Sequence, residues 1–183
     1  MIITKIEGYY QYYPVVAAVI GVEADGKKNF MTAAWHSPVS FDPPMYGVSI
    51  APQRYTHNMI QKAGDFTVNF LPYSELEKIH GCGRLSGADT DKIAYFGLHP
   101  VSGHIINSPY LEEAYAAFEC AVYSATPGGD HTWFMGEIKA IHGNDDAFVN
   151  KILNLEKCQP ALYAGDSHYT TADSKIISRL QPK

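Results

Sequence analysis

Hydrophobic and polar positions along this chain follow mostly a two-residue period, interrupted by a few short helical stretches. Residues 15–22 form an almost continuous apolar run, the pattern of a strand buried on both faces. Asp25-Gly26 comes next, a pair that tolerates positive φ and predicts a tight hairpin. Over residues 28–35 the returning strand puts Asn29, Met31, Ala33 and Trp35 on one face and Phe30, Thr32 and Ala34 on the other. The stretch Ser40-Phe41-Asp42-Pro43-Pro44 should break the pairing, because prolines cannot donate to a ladder. Residues 45–52 read as a third strand ended by Pro52. Residues 54–64 carry a helix's ingredients: Thr56 as N-cap, Met59 and Ile60 as its apolar face, Gly64 as its stop.

Residues 65–72 alternate again and predict a strand, and Ser74-Glu75-Leu76-Glu77 offers a capping box for a second helix. Residues 84–112 are punctuated by Gly and Pro, with one short helical piece at 91–97. Two runs, 114–125 and 131–143, flank a Thr-Pro-Gly-Gly-Asp turn and read as a long hairpin. Residues 145–157 suggest a helix, with a β segment as the alternative. Many moderate strands, hairpin connections and two or three interposed helices predict a mostly β protein built on an antiparallel β-barrel. No βαβ alternation and no G-x-G-x-x-G occur, which argues against a Rossmann nucleotide site.

Composition narrows the function classes. At 183 residues the chain suits one sizeable core, so residues 1–183 are read as a single domain. No apolar run is long enough to span a bilayer, and the N-terminal residues lack a signal peptide's apolar segment, so a cytoplasmic protein that does not engage a membrane is expected. The formal net charge of −5, with no Lys/Arg cluster against it, argues against a nucleic-acid partner. Cys82, Cys120 and Cys158 are widely spaced with no C-x-x-C, which speaks against a disulfide framework and a zinc site. The histidines show no ligand spacing, so no metal is expected, and no serine lies in a G-x-S-x-G context. The 13 tyrosines suit the walls of a planar ligand, and equally a core or an interface between subunits.

On an acidic protein an anionic ligand must be met locally. The start of the helix near residue 55 offers unsatisfied N–H donors, the positive end of a dipole, the Thr56 hydroxyl and the Arg54 guanidinium. Such a set can cradle a phosphate; equally, Thr56 can be a plain cap and Arg54 a solvated charge.

Several segments, in one order and spacing, then become recognisable: residues 29–44, 48–60 and 65–69, then Ser86-Gly87 through Asp91-Lys92 to Leu98, then 129–138. Together, over residues 10–165, they resemble the flavin reductase-like FMN-binding split-barrel family, most nearly its flavoredoxin branch. The resemblance implies an antiparallel split β-barrel, a homodimer and non-covalently held FMN. It implies that the segment from Asn29 to Ser37 lines the ring and ribityl chain, with Met31, Thr32, Ala33 and Trp35 as contacts. It implies that the segment from Ala51 through Arg54 and Tyr55 to Thr56 is the phosphate turn, and that Lys92 and His131 face the flavin as candidate catalytic groups. Ser49 and Asn69 match more weakly. Lys92 could stabilise the reduced ring or meet the phosphate; His131 could shape the approach of a nicotinamide or acceptor. Ala88 stands where relatives often carry arginine, and Ala164 is small where an aromatic could cover the ring, leaving Tyr163 or Tyr169 for that role. Two functions compete: an NAD(P)H-dependent FMN oxidoreductase, or a flavoredoxin-type electron carrier exchanging electrons with a protein donor or acceptor.

Overall fold

The computed structural model describes residues 10–175 together with residues 2, 4, 6 and 8. The elements run β1 (Val15–Val16), β2 (Ala18–Ala24), β3 (Lys27–Ala33), β4 (His36–Phe41), β5 (Pro44–Ile50), α1 (Tyr55–Ala63) and β6 (Asp65–Phe70). Then come α2 (Leu76–Arg84), α3 (Lys92–Phe96), β7 (Pro100–Val101), β8 (Tyr110–Leu111), β9 (Ala116–Gly128) and β10 (His131–Gly143). The chain ends in two small hairpins, β11 (Phe148–Val149) with β12 (Ile152–Leu153) and β13 (Leu162–Gly165) with β14 (His168–Thr170). Strands hold 46% of the residues and helices 17%, a mostly β, antiparallel protein.

The main sheet has seven strands in the order β3-β2-β6-β9-β10-β5-β4. Its two edge strands, β3 and β4, are consecutive in sequence, separated only by Ala34 and Trp35. Three peptide links from Ala33 to His36 span at most about 11 Å, whereas seven flat strands would put the edges roughly 29 Å apart. The sheet must therefore roll into a barrel, with one chain segment serving both edges. The seam is tied at its bend by the Ser49 N–H donating to the Trp35 carbonyl at 2.9 Å.

The barrel interior is filled by Ile20, Val22, Val48, Ile50, Phe66, Val68 and Phe134, and α1 lays Met59 and Ile60 over it. A second cluster lies under α2, where Val19, Phe30, Leu71, Ile79 and Cys82 meet. Residues 19, 20 and 22 thus bury both faces of β2, as the apolar run predicts. Gly136 has no room for a side chain: a Cβ there would stand 2.7 Å from Cys120 Cβ and 2.9 Å from the Phe66 ring. Gly136→Ala is expected to cost about 1–3 kcal/mol, read as a lower urea midpoint at unchanged slope.

Several expectations are corrected. The proline-rich stretch does not end the pairing: residues 36–41 form β4, with Pro38 and a bulge between Pro38 and Ser40 at the sheet's edge, where a missing N–H costs nothing. The first helix starts one residue before Thr56, with Arg54 at the N-cap position and no side-chain cap bond. Gly64 stops it at φ 73°, as expected. The Ser74 box is not formed either; a 3-10 turn over Tyr73–Glu75 leads into α2. Residues 145–157 are not a helix. Asn150 and Lys151 turn at φ 52° and 66°, folding the segment into the β11–β12 hairpin.

Candidate functional site

Where the seam bends, the ends of β3 and β5 and the start of β10 surround a hollow of about 240 Å³. Met31, Thr32, Ala33, Ala34 and Trp35 form one wall, Ser49, Ile50 and Ala51 another, and His131, Tyr13 and Tyr163 close the sides. Trp35 is braced by its indole N–H donating to the Tyr13 hydroxyl at 3.1 Å. Its ring leans on that of His131, centroids 4.7 Å apart, while His131 Nδ1 faces Asp130 Oδ1 at 2.7 Å. This wide part is aromatic and shallow.

The hollow narrows into a second space, sharing Met31, Arg54 and Gly83 with it and lined further by Tyr55, Thr56, Arg84, Ser86, Gly87 and Lys92. Its chemistry is one-sided: among the described residues it has three cations, the first turn of a nine-residue helix and no carboxylate. Arg54 sits at the positive end of the α1 dipole with no acidic residue in the first turn, the unfavourable place for a cation unless an anion joins it. Lys92 is buried and donates from Nζ to the Cys82 carbonyl at 3.0 Å. Burial pushes its pKa down; the Cys82 thiol opposes this and the Arg54 charge adds to it. An ammonium brings three donors, of which that carbonyl takes one.

Asn29 lies beneath this end. It is buried, and its amide donates to Thr56 Oγ1 at 2.8 Å, so it positions the hydroxyl at the helix start. Gly87 packs on the Asn29 amide so closely that a Cβ there would overlap it. Thr32 has its hydroxyl committed to the Ile79 carbonyl.

The structure thus brings together Met31, Thr32, Ala33, Trp35, Ser49, Ala51, Arg54 and His131 in the wide part, and Arg54, Tyr55, Thr56 and Lys92 in the narrow one. Two expected residues stand apart. Ser37 is exposed on β4, its hydroxyl donates to the Pro38 carbonyl, and it borders a different, largely apolar hollow with Val15, Val16, Phe70 and Trp133. Asn69 is consumed in the core, donating to the Val19 carbonyl and accepting from the Leu111 N–H. Sequence reasoning missed Tyr10, Tyr13, Gly83 and Arg84. A signal for Gly83 existed: in Gly81-Cys82-Gly83 the second glycine lets α2 approach β3, where a Cβ would meet Thr32 Cβ at 3.2 Å.

The residues present suit a ribityl phosphate carrying a flat aromatic head. A cationic cradle, without a carboxylate among the described residues, and an aromatic trough share one wall, and the donor set suits a phosphate. Among the described residues no group of His, Cys, Asp and Glu could hold a metal ion, and no helix is long and apolar enough to cross a membrane. The flavin reductase like domain model matches residues 10–172. The chain belongs to the flavin reductase-like family.

Within this family a relative from Aeropyrum pernix is 36% identical over 154 residues, 84% of this chain, which spans only 58% of that relative's length. A flavin reductase of Pseudomonas putida is 30% identical over 133 residues, 72% of this chain and 74% of that one. Among solved structures, an FMN-binding protein of Thermus thermophilus, with 1-cyclohex-2-enone bound, superposes with TM-score 0.85 at 33% identity, covering 98% of both chains. Flavoredoxin of Methanosarcina acetivorans superposes with TM-score 0.88 at 27% identity over 99% of this chain and 96% of that one. The flavin reductase-like fold here is the split barrel of such neighbours.

Proposed function

We propose that this protein holds FMN and works as an oxidoreductase that draws electrons from NAD(P)H. The observation that carries the reading is the pairing of a buried, carboxylate-free Lys92 with Arg54 at an uncapped helix start, in a space open to an aromatic trough. Arg54, the N–H groups of Tyr55 and Thr56, and Lys92 neutralise and orient the phosphate. In this arrangement Lys92 acts on affinity; it stands with the phosphate-binding groups and outside the wide hollow. Trp35, Tyr13 and Tyr163 supply flat apolar surface for the ring, and the strand ends from Met31 to Ala33 present backbone groups to its polar rim. His131 stands at the open side of the trough, where it limits how a second molecule approaches. When bound, the flavin supplies a ring that accepts a hydride or single electrons. A homodimer is part of the proposal.

A second reading is favoured by the high structural similarity to flavoredoxin: FMN held tightly, reduced by a protein donor, with no direct use of NAD(P)H. Anaerobic addition of NADH or NADPH to the FMN-loaded protein separates the two. Rapid loss of the flavin absorption band is expected; persistence of the band, with ready reduction by light, would favour the carrier. A protein that neither carries nor takes up FMN would end both readings.

A further inference from the structure

Between the last turn of α2 and the β13–β14 hairpin lies a third space, open to the wide hollow through Thr32, Ala34, Arg54, Gly83 and Tyr163. Its volume is about 210 Å³, below the roughly 300–1,000 Å³ of pockets that enclose a whole ligand. It therefore suits one group of a larger molecule. Its polar lining is His80, Arg84 and Arg54, with Ser167 and Tyr169 opposite and Tyr163 at the mouth; among the described residues no carboxylate lines it. Neither arginine has a carboxylate partner among the described residues. His80 Nδ1 pairs with the Tyr169 hydroxyl at 3.3 Å, which leaves Nε2 for another bond.

One part of this has a purely local account. Arg84 closes α2, where the helix dipole favours a cation whatever it faces. Arg84 also borders the phosphate end, and Arg54 is accounted for in part by the flavin phosphate proposed there. Arg54 comes from another element, at the positive end of a different helix, and borders this annex as well as the phosphate end. Arg54, Arg84 and Lys92 make three cations around the phosphate end, one more than a phosphate dianion balances, and among the described residues the annex adds no carboxylate, so a second oxyanion would meet an unmatched charge there. Because the annex opens on the trough and not only on the narrow end, the oxyanion belongs to a molecule lying over the trough.

We infer that this annex, with Arg84 as its principal contact, is the site for the pyrophosphate of the nicotinamide dinucleotide that reduces the protein. The inference rests on the proposed function and adds a specificity-determining residue to it. Arg84 holds the donor's charged middle, so that the reactive end falls over the trough while the adenosine end stays in solvent.

The test uses FMN-loaded protein and non-reducible ADP-ribose, titrated by calorimetry into wild type, Arg84→Gln, Arg84→Lys and His80→Gln. Lys62→Gln, an exposed cation paired with Asp25 on the barrel's outside, is the control. Loss of one charge-assisted contact predicts a Kd about tenfold higher for Arg84→Gln, partial recovery in Arg84→Lys, and no change in the control. The KM for NADH or NADPH rises by the same factor at nearly constant kcat, the mark of a contact made equally in ground and transition states. Equal ADP-ribose affinity in wild type and Arg84→Gln overturns the inference, as does absence of binding to wild type. A parallel fall in FMN affinity overturns it too, since Arg84 would then serve the flavin phosphate. If ADP-ribose binds through Arg84 but neither NADH nor NADPH bleaches the flavin, the subsite stands and the reductase reading falls.

Discussion

Lys92→Met is expected to weaken FMN binding about 100-fold, from loss of a charged hydrogen bond near the upper end of the usual range, while making the flavin-free protein more stable. The two effects have opposite sign for one reason. A buried ammonium beside Arg54 is costly in the empty protein and useful only when an anion arrives. Methionine matches the length of the stem without the charge, so the expected gain is roughly 1 kcal/mol, a rise of about 2–4 °C in Tm. The pH dependence follows from the depressed pKa. The unfolded chain binds more protons than the folded one between the lowered pKa and the ordinary lysine value, so the flavin-free protein gains stability as pH rises through that window. FMN affinity moves the other way, falling as the ammonium is lost. Fluorescence titration of FMN and thermal melts of the flavin-free protein, each across pH, read both. Unchanged FMN affinity in the variant would remove Lys92 from the site.

Glu119→Gln should cost about 3–5 kcal/mol, the usual price of breaking a buried charged network from one side. Glu119 is fully buried on β9, and its carboxylate accepts from the N–H groups of His104, Ile105 and Ile106 at 2.6, 2.8 and 3.0 Å. His142 Nε2 faces it from β10, with the Tyr110 ring stacked on His142 at 4.0 Å. For the next two residues Asp65 takes over, accepting from the Asn107 and Ser108 N–H groups. Two acidic side chains thus hold the backbone of residues 104–108, which has no ladder of its own. Burial alone would raise the Glu119 pKa, but the His104 N–H, His142 and the next two amides outweigh it and bring it down to about 2. Since the folded value lies below the unfolded one, the contribution is complete above about pH 4.5 and fades as pH falls toward 2. It amounts to about 3 kcal/mol. Urea unfolding from pH 7 to pH 2.5 should show this loss in wild type and a flatter profile in Glu119→Gln. Equal midpoints at pH 7 would show that the clamp is dispensable.

The strands were legible because their signals are local: the alternation at 28–35, the Asp25-Gly26 turn and the apolar run of β2 need no knowledge of distant contacts. Pro43 and Pro44 misled because prolines can also make a tight hairpin between edge strands, as here between β4 and β5 where Phe41 pairs with Pro44, and whether a strand is an edge depends on where its neighbours lie. Val149, Ile152 and Leu153, at i, i+3 and i+4, imitate one face of a helix, and only the left-handed turn at Asn150 and Lys151 decides against it. In the site, the strand-end residues and the helix start could be read from spacing, and the family resemblance added Lys92 and His131. Tyr163 came with the resemblance as a cover for the ring, whereas Tyr13 and Arg84 could not be read so, since they reach the groove from elements far apart in sequence. Ser37 was included because the resemblance runs on to it, whereas here it lies past the bend, on the strand of the opposite edge.

That bend bears on mechanics. The barrel's closure at Ala34–Trp35 leans on few main-chain bonds, while the proposed nucleotide would touch both sides of it, with β3 on one flank and β5 on the other. A bound flavin would then act as a clasp on a zipper that the polypeptide leaves partly undone. Amide protons of residues 31–35 and 49–51 should exchange slowly when it is in place and open first when it leaves.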